Sequence, residues 1–146
     1  MNEITPLDMR QRVEALQREM SNLPQYEPLT EHVFHGGMYC RKVFRPAGCL
    51  IVGKVHKYEH FYFVVFGTVV VTTDDGVQRI TGPAMLCSLP GTKRAVLAET
   101  DALCMTIHRT DITTVEEAED LVEDDPASMF GIGNVLKQQP LFEVLP

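Results

Sequence analysis

The sequence predicts an all-β fold, arranged as a sandwich or barrel. Nine short runs rich in β-branched and aromatic residues follow one another at roughly ten-residue spacing, which is typical of such folds. Turn-forming residues separate the runs, and Asp75-Gly76 between two Val- and Thr-rich runs is a strong hairpin signal. Helices and strands do not alternate, so a parallel sheet is not expected. The predicted strands are residues 32–35, 38–45, 49–55, 61–66, 68–73, 77–81, 85–89, 94–98 and 102–108.

A helix of about 15 residues is predicted ahead of the strands. Thr5 can cap this helix, and Pro6 suits its first position. One apolar stripe recurs at helical spacing and consists of Met9, Val13, Leu16 and Met20. Such a stripe must be covered, either by the wall of the β domain or by a second subunit. Residues 1–28 are therefore expected to be this helix and a proline-containing linker.

A second, acidic helix is predicted after the strands, over residues 115–122. Thr113-Thr114 and Glu116-Glu117 form two overlapping capping boxes at its start, and Pro126 ends it. The residues beyond it are too apolar for a free tail, so a tail docked on the barrel or on a neighbouring subunit is expected. The predicted organisation is thus a helix and linker (1–28), a β domain (29–111), and an acidic helix with an apolar tail (112–146).

The charge distribution argues against a nucleic-acid partner. The net charge is -7, and seven of the 20 acidic residues lie between Glu116 and Asp125, which leaves the β domain close to neutral. A nucleic-acid surface requires a basic stripe instead. The sequence also lacks an apolar run long enough for a membrane span and a basic, apolar start typical of secretion. A cytoplasmic protein is therefore expected.

Two histidines four residues apart are the first candidates for chemistry. His56 and His60 fall on the same face of an extended chain. Two neutral imidazoles on one face are a usual start for a Zn, Fe, Mn or Ni site. The pattern alone also fits a pair of core or surface histidines without a ligand. Next to them, Tyr58 and Glu59 are candidates to move a proton, and Tyr58 is expected on the face of the two histidines.

A third histidine could complete the site. In the last strand run, alternation places Cys104, Thr106 and His108 on one face. If this face points into the barrel, His108 forms a three-histidine metal site with His56 and His60, and an open position remains for a substrate. If the face points outward, His108 is an exposed strand end.

The segment around the histidine pair resembles the first signature motif of the cupin superfamily. That motif contains an HxH pair, a glutamate and a glycine at set spacings. Gly67 matches the glycine, His56 matches the second histidine, and His60 stands at the glutamate position. Lys54 stands where the first histidine is expected.

A second segment, about 35 residues further on, resembles the second cupin motif. Pro90 and Gly91 match its proline and glycine, and Arg94 stands at its histidine position. The resemblance spans about residues 35–109, which is most of the β region. The resemblance implies a cupin-type double-stranded β-helix barrel, a jelly roll, with an N-terminal helix and a short C-terminal helix.

The chain is also similar to a group of small phage-encoded cupins without assigned chemistry. These share a Gly-Lys-x-His-Lys-x-x-His segment, a Pro-Gly-Thr-Lys-Arg turn and a Thr-x-His strand end, which correspond here to residues 53–60, 90–94 and 106–108. This resemblance implies that Lys54 and Arg94 belong to the pocket, and that the protein works in the host cytoplasm.

Lys54 and Arg94 are expected to face one cavity, which would then be positively charged and favour a carboxylate or phosphate. Three hypotheses follow. The first is a metal enzyme acting on a small anion, with the metal on His56, His60 and His108 and the anion on Lys54 and Arg94. The second is a module that captures such an anion without turnover. The third is a virion component or a host-interaction protein on a cupin scaffold. A homo-oligomer is expected because cupins commonly pair through barrel edges.

Overall fold

The computed structural model describes residues 6–23 and 28–123. Within these residues, helix α1 (Pro6–Met20) precedes nine strands, and a short helical segment follows them. Each predicted run overlaps one observed strand, so the all-β prediction is confirmed. The strands are β1 (Thr30–His35), β2 (Met38–Arg45), β3 (Leu50–Val52), β4 (His60–Phe66), β5 (Thr68–Thr73), β6 (Gly76–Thr81), β7 (Ala84–Ser88), β8 (Ala95–Ala98) and β9 (Ala102–Arg109).

The strands form two antiparallel sheets that enclose a common core. The larger sheet has the order β1-β2-β9-β4-β7, and the smaller has the order β3-β8-β5-β6. The chain passes from one sheet to the other at Gly67, between β4 and β5. Gly67 has φ of 87°, and a Cβ there would collide with the Asp101 carbonyl and with Ala102. The crossing therefore requires glycine at this position.

The predicted hairpin joins β5 and β6. Their register pairs Thr68 with Thr81 at one end and Thr73 with Gly76 at the other. Gly76 adopts φ of 107°, and the Thr73 hydroxyl donates to the Gly76 carbonyl at 2.8 Å. The hairpin signal at Asp75-Gly76 is confirmed, because the turn uses the conformational freedom of its glycine.

The core lies between the sheets and follows from alternation along the strands. On β4 the buried positions are His60, Tyr62 and Val64, and the intervening residues are more exposed. The central cluster draws on both sheets, and its members are Tyr62, Val64, Val69, Val71, Val96, Ala102 and Cys104. Full burial of each large side chain contributes roughly 1.5–3 kcal/mol. The same alternation aims His60 into the interior.

Helix α1 covers the smaller sheet. Met9, Val13 and Met20 are buried against Val52 on β3 and Ala95 on β8. The apolar stripe is therefore covered by the barrel wall of the same chain, which decides between the two alternatives left open by the sequence.

The C-terminal helix is shorter than predicted. Helix α2 covers Val115–Ala118 and continues as a 3₁₀ helix over Glu119–Leu121. Thr114 caps it, because its side chain accepts a hydrogen bond from the Glu117 amide at 3.2 Å. Ala118 and Leu121 pack on Tyr39 of β2. Residues 114–123, which we call the closing segment, thus lie over one end of the larger sheet.

Some expectations fall on parts of the chain outside the described residues. These are the Thr5 cap, most of the linker, and the docked apolar tail. Among the described helices, none combines the length and the apolar character needed to cross a bilayer.

Candidate metal centre

His60 opens strand β4 and points into the barrel. Its side chain is only 8% exposed. Nδ1 of its ring lies 3.0 Å from the Tyr58 carbonyl oxygen. A carbonyl oxygen can only accept, so Nδ1 carries the proton and Nε2 keeps its lone pair. His60 is therefore held in the tautomer that a metal ligand needs.

His108 lies near the end of β9, on the inward face that also carries Cys104. Its side chain is 2% exposed, so the inward alternative holds for this strand. Nδ1 of His108 is buried and has no hydrogen-bond partner. Its Nε2 lies 2.8 Å from Nδ1 of His56, and when Nε2 is the donor in this hydrogen bond, Nδ1 of His108 keeps a lone pair.

His56 is positioned by backbone contacts outside the sheets. Its amide donates to the Thr92 carbonyl at 3.3 Å, and its carbonyl accepts from the Gly91 amide at 2.8 Å. The closing segment holds it from the other side through an isolated β-bridge to Val122. The expectation of an extended chain from His56 to His60 is wrong, because residues 57 and 58 form a bend. The two rings meet nonetheless.

The three imidazoles form one stacked cluster. Ring centroids are 4.1 Å apart for His56 and His60, 4.6 Å for His60 and His108, and 5.0 Å for His56 and His108. Nδ1 of His56 lies 2.8 Å from Nε2 of His108. One nitrogen from each residue can be chosen such that all three lie within 4.8 Å of one another.

All three histidines are neutral at pH 7. Burial, together with His60 and His108, lowers the pKa of His56 well below its usual 6.5. Burial lowers the pKa of His60, against the hydrogen bond to the Tyr58 carbonyl, and nearby Arg94 lowers it further. Burial and His60 lower the pKa of His108 to about 4. Neutral imidazoles with free lone pairs are the form that coordinates metals.

The donor set fits a divalent transition metal. Three imidazole nitrogens suit Zn, Fe or Ni and leave further coordination positions open. The chemistry of the donor set favours an ion in the cluster, because each of three neutral imidazoles offers one nitrogen and these nitrogens lie within 4.8 Å of one another. The cluster therefore has the protonation state and proximity of a metal centre.

The candidates for proton transfer lie away from this centre. Tyr58 is 55% exposed and Glu59 is also exposed, and both lie in the connection between the two histidines. Neither lines the cavity beside the histidines. The expectation that the Tyr58 side chain shares their face is wrong. Tyr58 contributes its backbone carbonyl to His60 instead.

Lys54 lines a cavity of about 40 Å³ beside the histidines and is 8% exposed. The cavity is enclosed by β2, β9 and the closing segment, and its lining includes Tyr39, Arg41, Lys54, His56, Thr106, His108, Leu121 and Val122. Lys54 thus lies where the cupin resemblance implies, next to the second histidine of the motif.

Arg94 lines a different cavity, of about 180 Å³, between α1 and the Pro90–Arg94 turn. Its Nη1 donates to the Thr72 carbonyl at 2.9 Å, and its Nη2 donates to the Ser88 hydroxyl at 2.8 Å. The guanidinium carbon also lies 5.7 Å from the ring centroid of Tyr62. Lys54 and Arg94 therefore line two separate cavities, whereas the sequence led us to expect that they share one.

Arg41 and Arg45 were not anticipated from the sequence. Both lie on the face of β2 that carries the buried Tyr39 and Val43; Arg45 is buried and Arg41 is half-buried. The available signal was the alternation itself, since Tyr39 and Val43 mark the buried face of this strand.

The fold is shared with solved structures of cupin proteins. A cupin superfamily protein from Desulfitobacterium hafniense DCB-2 aligns with a TM-score of 0.52 at 13% identity, covering 62% of this chain and 84% of that one. The DMSP lyase DddQ from Ruegeria pomeroyi DSS-3 aligns with a TM-score of 0.51 at 16% identity, covering 60% of this chain and 49% of that one. No protein-family model and no curated sequence matches the chain. The likeness establishes the fold: this is a cupin barrel, as the two motifs imply.

Proposed function

We propose that the protein binds one divalent transition metal through His56, His60 and His108 and holds a small anionic ligand beside it. The observation that carries this proposal is the convergence of three neutral imidazoles inside the barrel, with ligand atoms within 4.8 Å of one another. Buried cations surround the cluster, which makes the interior attractive to an anion.

A metal ion of the Fe, Mn, Ni or Zn type, when bound by such ligands, supplies Lewis acidity that polarises a ligand oxygen. The chain's own residues prepare the site. The Tyr58 carbonyl fixes the His60 tautomer, and the Gly91 amide and Val122 fix the His56 backbone. The closing segment contributes the apolar side chains of Ala118, Leu121 and Val122 to the wall of the cavity, and an apolar wall strengthens the charge interactions beside it.

Capture of the anion without turnover is the second candidate. The observation that favours it is the exposure of Tyr58 and Glu59, together with the absence of a carboxylate from the described lining of the histidine cavity. Tyr39 also lines this cavity, but burial raises its pKa to about 12, so the phenol stays protonated at pH 7. An enzyme would have to use a histidine or the ligand itself to move a proton.

The resemblance to small phage-encoded cupins extends the proposal to the protein's setting. A phage protein of this type would work in the host cytoplasm on a host metabolite or signal. The basic interior and the three-histidine centre support a small-molecule role more directly than a virion role, because a scaffold does not require unpaired buried cations.

Elemental analysis tests the metal proposal. The protein is purified without chelator or affinity metal and compared with His56→Ala, His60→Ala and His108→Ala. His35→Ala is the matched control, because His35 is exposed on β1. We expect about one metal ion per chain in the wild type and the control, and its loss in the three variants. Metal that persists in all variants, or a wild type that binds none of Fe, Mn, Ni and Zn, would contradict the proposal.

Mass spectrometry of small molecules released from the same preparations separates the two candidates. A capture module is expected to carry a stoichiometric anion through purification, and an enzyme is expected to release its product.

A further inference from the structure

Arg41 is a half-buried cation on the barrel-facing side of β2. Its side chain lines the 40 Å³ cavity beside His56 and His108. Its Nε is shielded from solvent and has no hydrogen-bond partner, and its guanidinium forms no hydrogen bond or ion pair with any described residue. Burial lowers the pKa of Arg41 to about 10, which leaves it charged at pH 7. A buried charge of this kind costs stability unless an anion pairs with it.

Neighbouring cations add to this excess of positive charge. Arg45, four residues further along the same face of β2, has Nε and Nη1 buried without partners, and Lys54 lines the same cavity as Arg41. The ion pairs among the described residues are all at the surface and do not include these three cations; they are Arg10–Glu14, Arg10–Glu123, Lys42–Glu31 and Arg79–Glu99. The interior charge is therefore left for a ligand to neutralise.

The size of the cavity limits what can neutralise it. About 40 Å³ is enough for a few water-sized atoms, since a single water needs about 10–15 Å³ on the same scale. This matches a carboxylate group and not a whole metabolite. A guanidinium presents two parallel N–H donors that fit the two oxygens of a carboxylate.

Arg94 is less suited than Arg41 to bind a carboxylate. Both of its terminal nitrogens already donate to described residues, Thr72 and Ser88. These bonds tie the Pro90–Arg94 turn to β5 and β7, which makes Arg94 a positioning residue for the turn that holds His56.

We propose that Arg41 and Lys54 form a subsite for the carboxylate group of the ligand, directly beside the histidine centre. This inference rests on the proposed function and specifies its ligand as a carboxylate, with Arg41 as the principal binding residue. The rest of the ligand then extends from the cavity toward the histidines.

Thermal unfolding of the metal-free protein tests the subsite. Formate and acetate are the probes, each compared with sodium chloride at equal ionic strength. We expect a saturable rise in Tm for the wild type, because a ligand that binds only the folded state stabilises it. Arg41→Met and Lys54→Met are expected to weaken the apparent affinity roughly 10- to 100-fold, as loss of a charge-assisted hydrogen bond does. Arg109→Gln, an exposed charge loss next to His108, is expected to keep the wild-type response.

A second readout distinguishes binding from a structural role. Without anion or metal, Arg41→Met is expected to be at least as stable toward urea as the wild type, because it removes an uncompensated buried charge. Arg41→Lys keeps the charge but loses the paired donors, so it is expected to fold and to bind the probes about tenfold more weakly. A wild type without a carboxylate-specific rise in Tm, or an Arg41→Met protein that is less stable or that keeps the rise, would overturn the subsite.

Metal content measured on the same variants keeps the two proposals apart. Arg41→Met is expected to retain the wild-type metal content. Normal metal binding without a carboxylate-specific rise in Tm would refute only the proposed subsite. A carboxylate-specific rise in Tm without metal binding would refute only the proposed metal centre.

Discussion

Acidification of the metal-free protein is expected to lower its free energy of unfolding between about pH 6.5 and pH 4. His108 is neutral in the folded state at these pH values because burial and His60 lower its pKa to about 4. In the unfolded chain its pKa returns to about 6.5, so the unfolded state binds the extra proton. Stability is therefore complete above about pH 6.5 and is lost as the pH falls toward 4.

The magnitude follows from the size of the pKa change. A difference of one unit corresponds to about 1.4 kcal/mol. For His108, the loss between pH 7 and about pH 4.5 is therefore about 2 kcal/mol. The pKa values of His56 and His60 are also lowered, so both residues add to the loss with the same sign.

Urea unfolding followed by circular dichroism, at several pH values after removal of metal by a chelator, measures this effect. His108→Gln isolates the contribution of one ring, because the carboxylates titrate equally in both proteins. The gap in unfolding free energy between wild type and variant is expected to change by about 2 kcal/mol over this range, in favour of the variant at low pH. A gap that does not change with pH refutes the claim that His108 is buried in its neutral form.

Three further predictions concern the scaffold. Gly67→Ala is expected to lose about 2–4 kcal/mol of stability, measured by thermal unfolding, because its φ is positive and a Cβ meets the Asp101 carbonyl. Thr114→Ala is expected to lose about 1 kcal/mol through its helix cap and to weaken metal binding in titrations, because the closing segment positions His56. The predicted homo-oligomer is expected to use the outward apolar face of the larger sheet, where Met85 is 53% exposed. Met85→Lys is then expected to give a monomer in light scattering. A wild type that is itself monomeric would contradict the predicted homo-oligomer.

The strands could be predicted because local chemistry determines them. Alternating β-branched residues and glycine-containing turns do not depend on the rest of the chain, and Gly67 and Gly76 occupy conformations that favour glycine. The end of β3 was less predictable, since Gly53 pairs through its amide with the Arg94 carbonyl and leaves the regular strand.

The histidine cluster could be predicted only in part. Alternation on β9 put His108 on the face of Cys104 and Thr106 but left open whether this face points inward, which the burial of His108 decides. The meeting of His56 with His60 was expected for a reason that does not hold, since a bend and contacts to Gly91 and Thr92 bring the rings together. These contacts join segments distant in sequence, so spacing alone does not reveal them.

The role of the basic residues depends on tertiary partners. Arg94 has the expected motif position, but its two terminal nitrogens donate hydrogen bonds to Thr72 and Ser88. The sequence does not show that these two residues lie near Arg94. Arg41 carries a charge on a strand, and such residues usually face solvent. Its position follows from alternation on β2, because the buried Tyr39 and Val43 lie on the same face.

X-ray absorption at the edge of the bound metal tests the central claim most directly. The protein is loaded with one equivalent of Zn²⁺ after chelator treatment, and its spectrum is compared with that of His60→Ala. We predict imidazole nitrogens at about 2.0–2.1 Å in the wild type, with a fit that requires three of them, and one fewer in the variant. A spectrum that fits only oxygen or sulfur ligands, or one that His60→Ala leaves unchanged, would contradict a metal centre built from His56, His60 and His108.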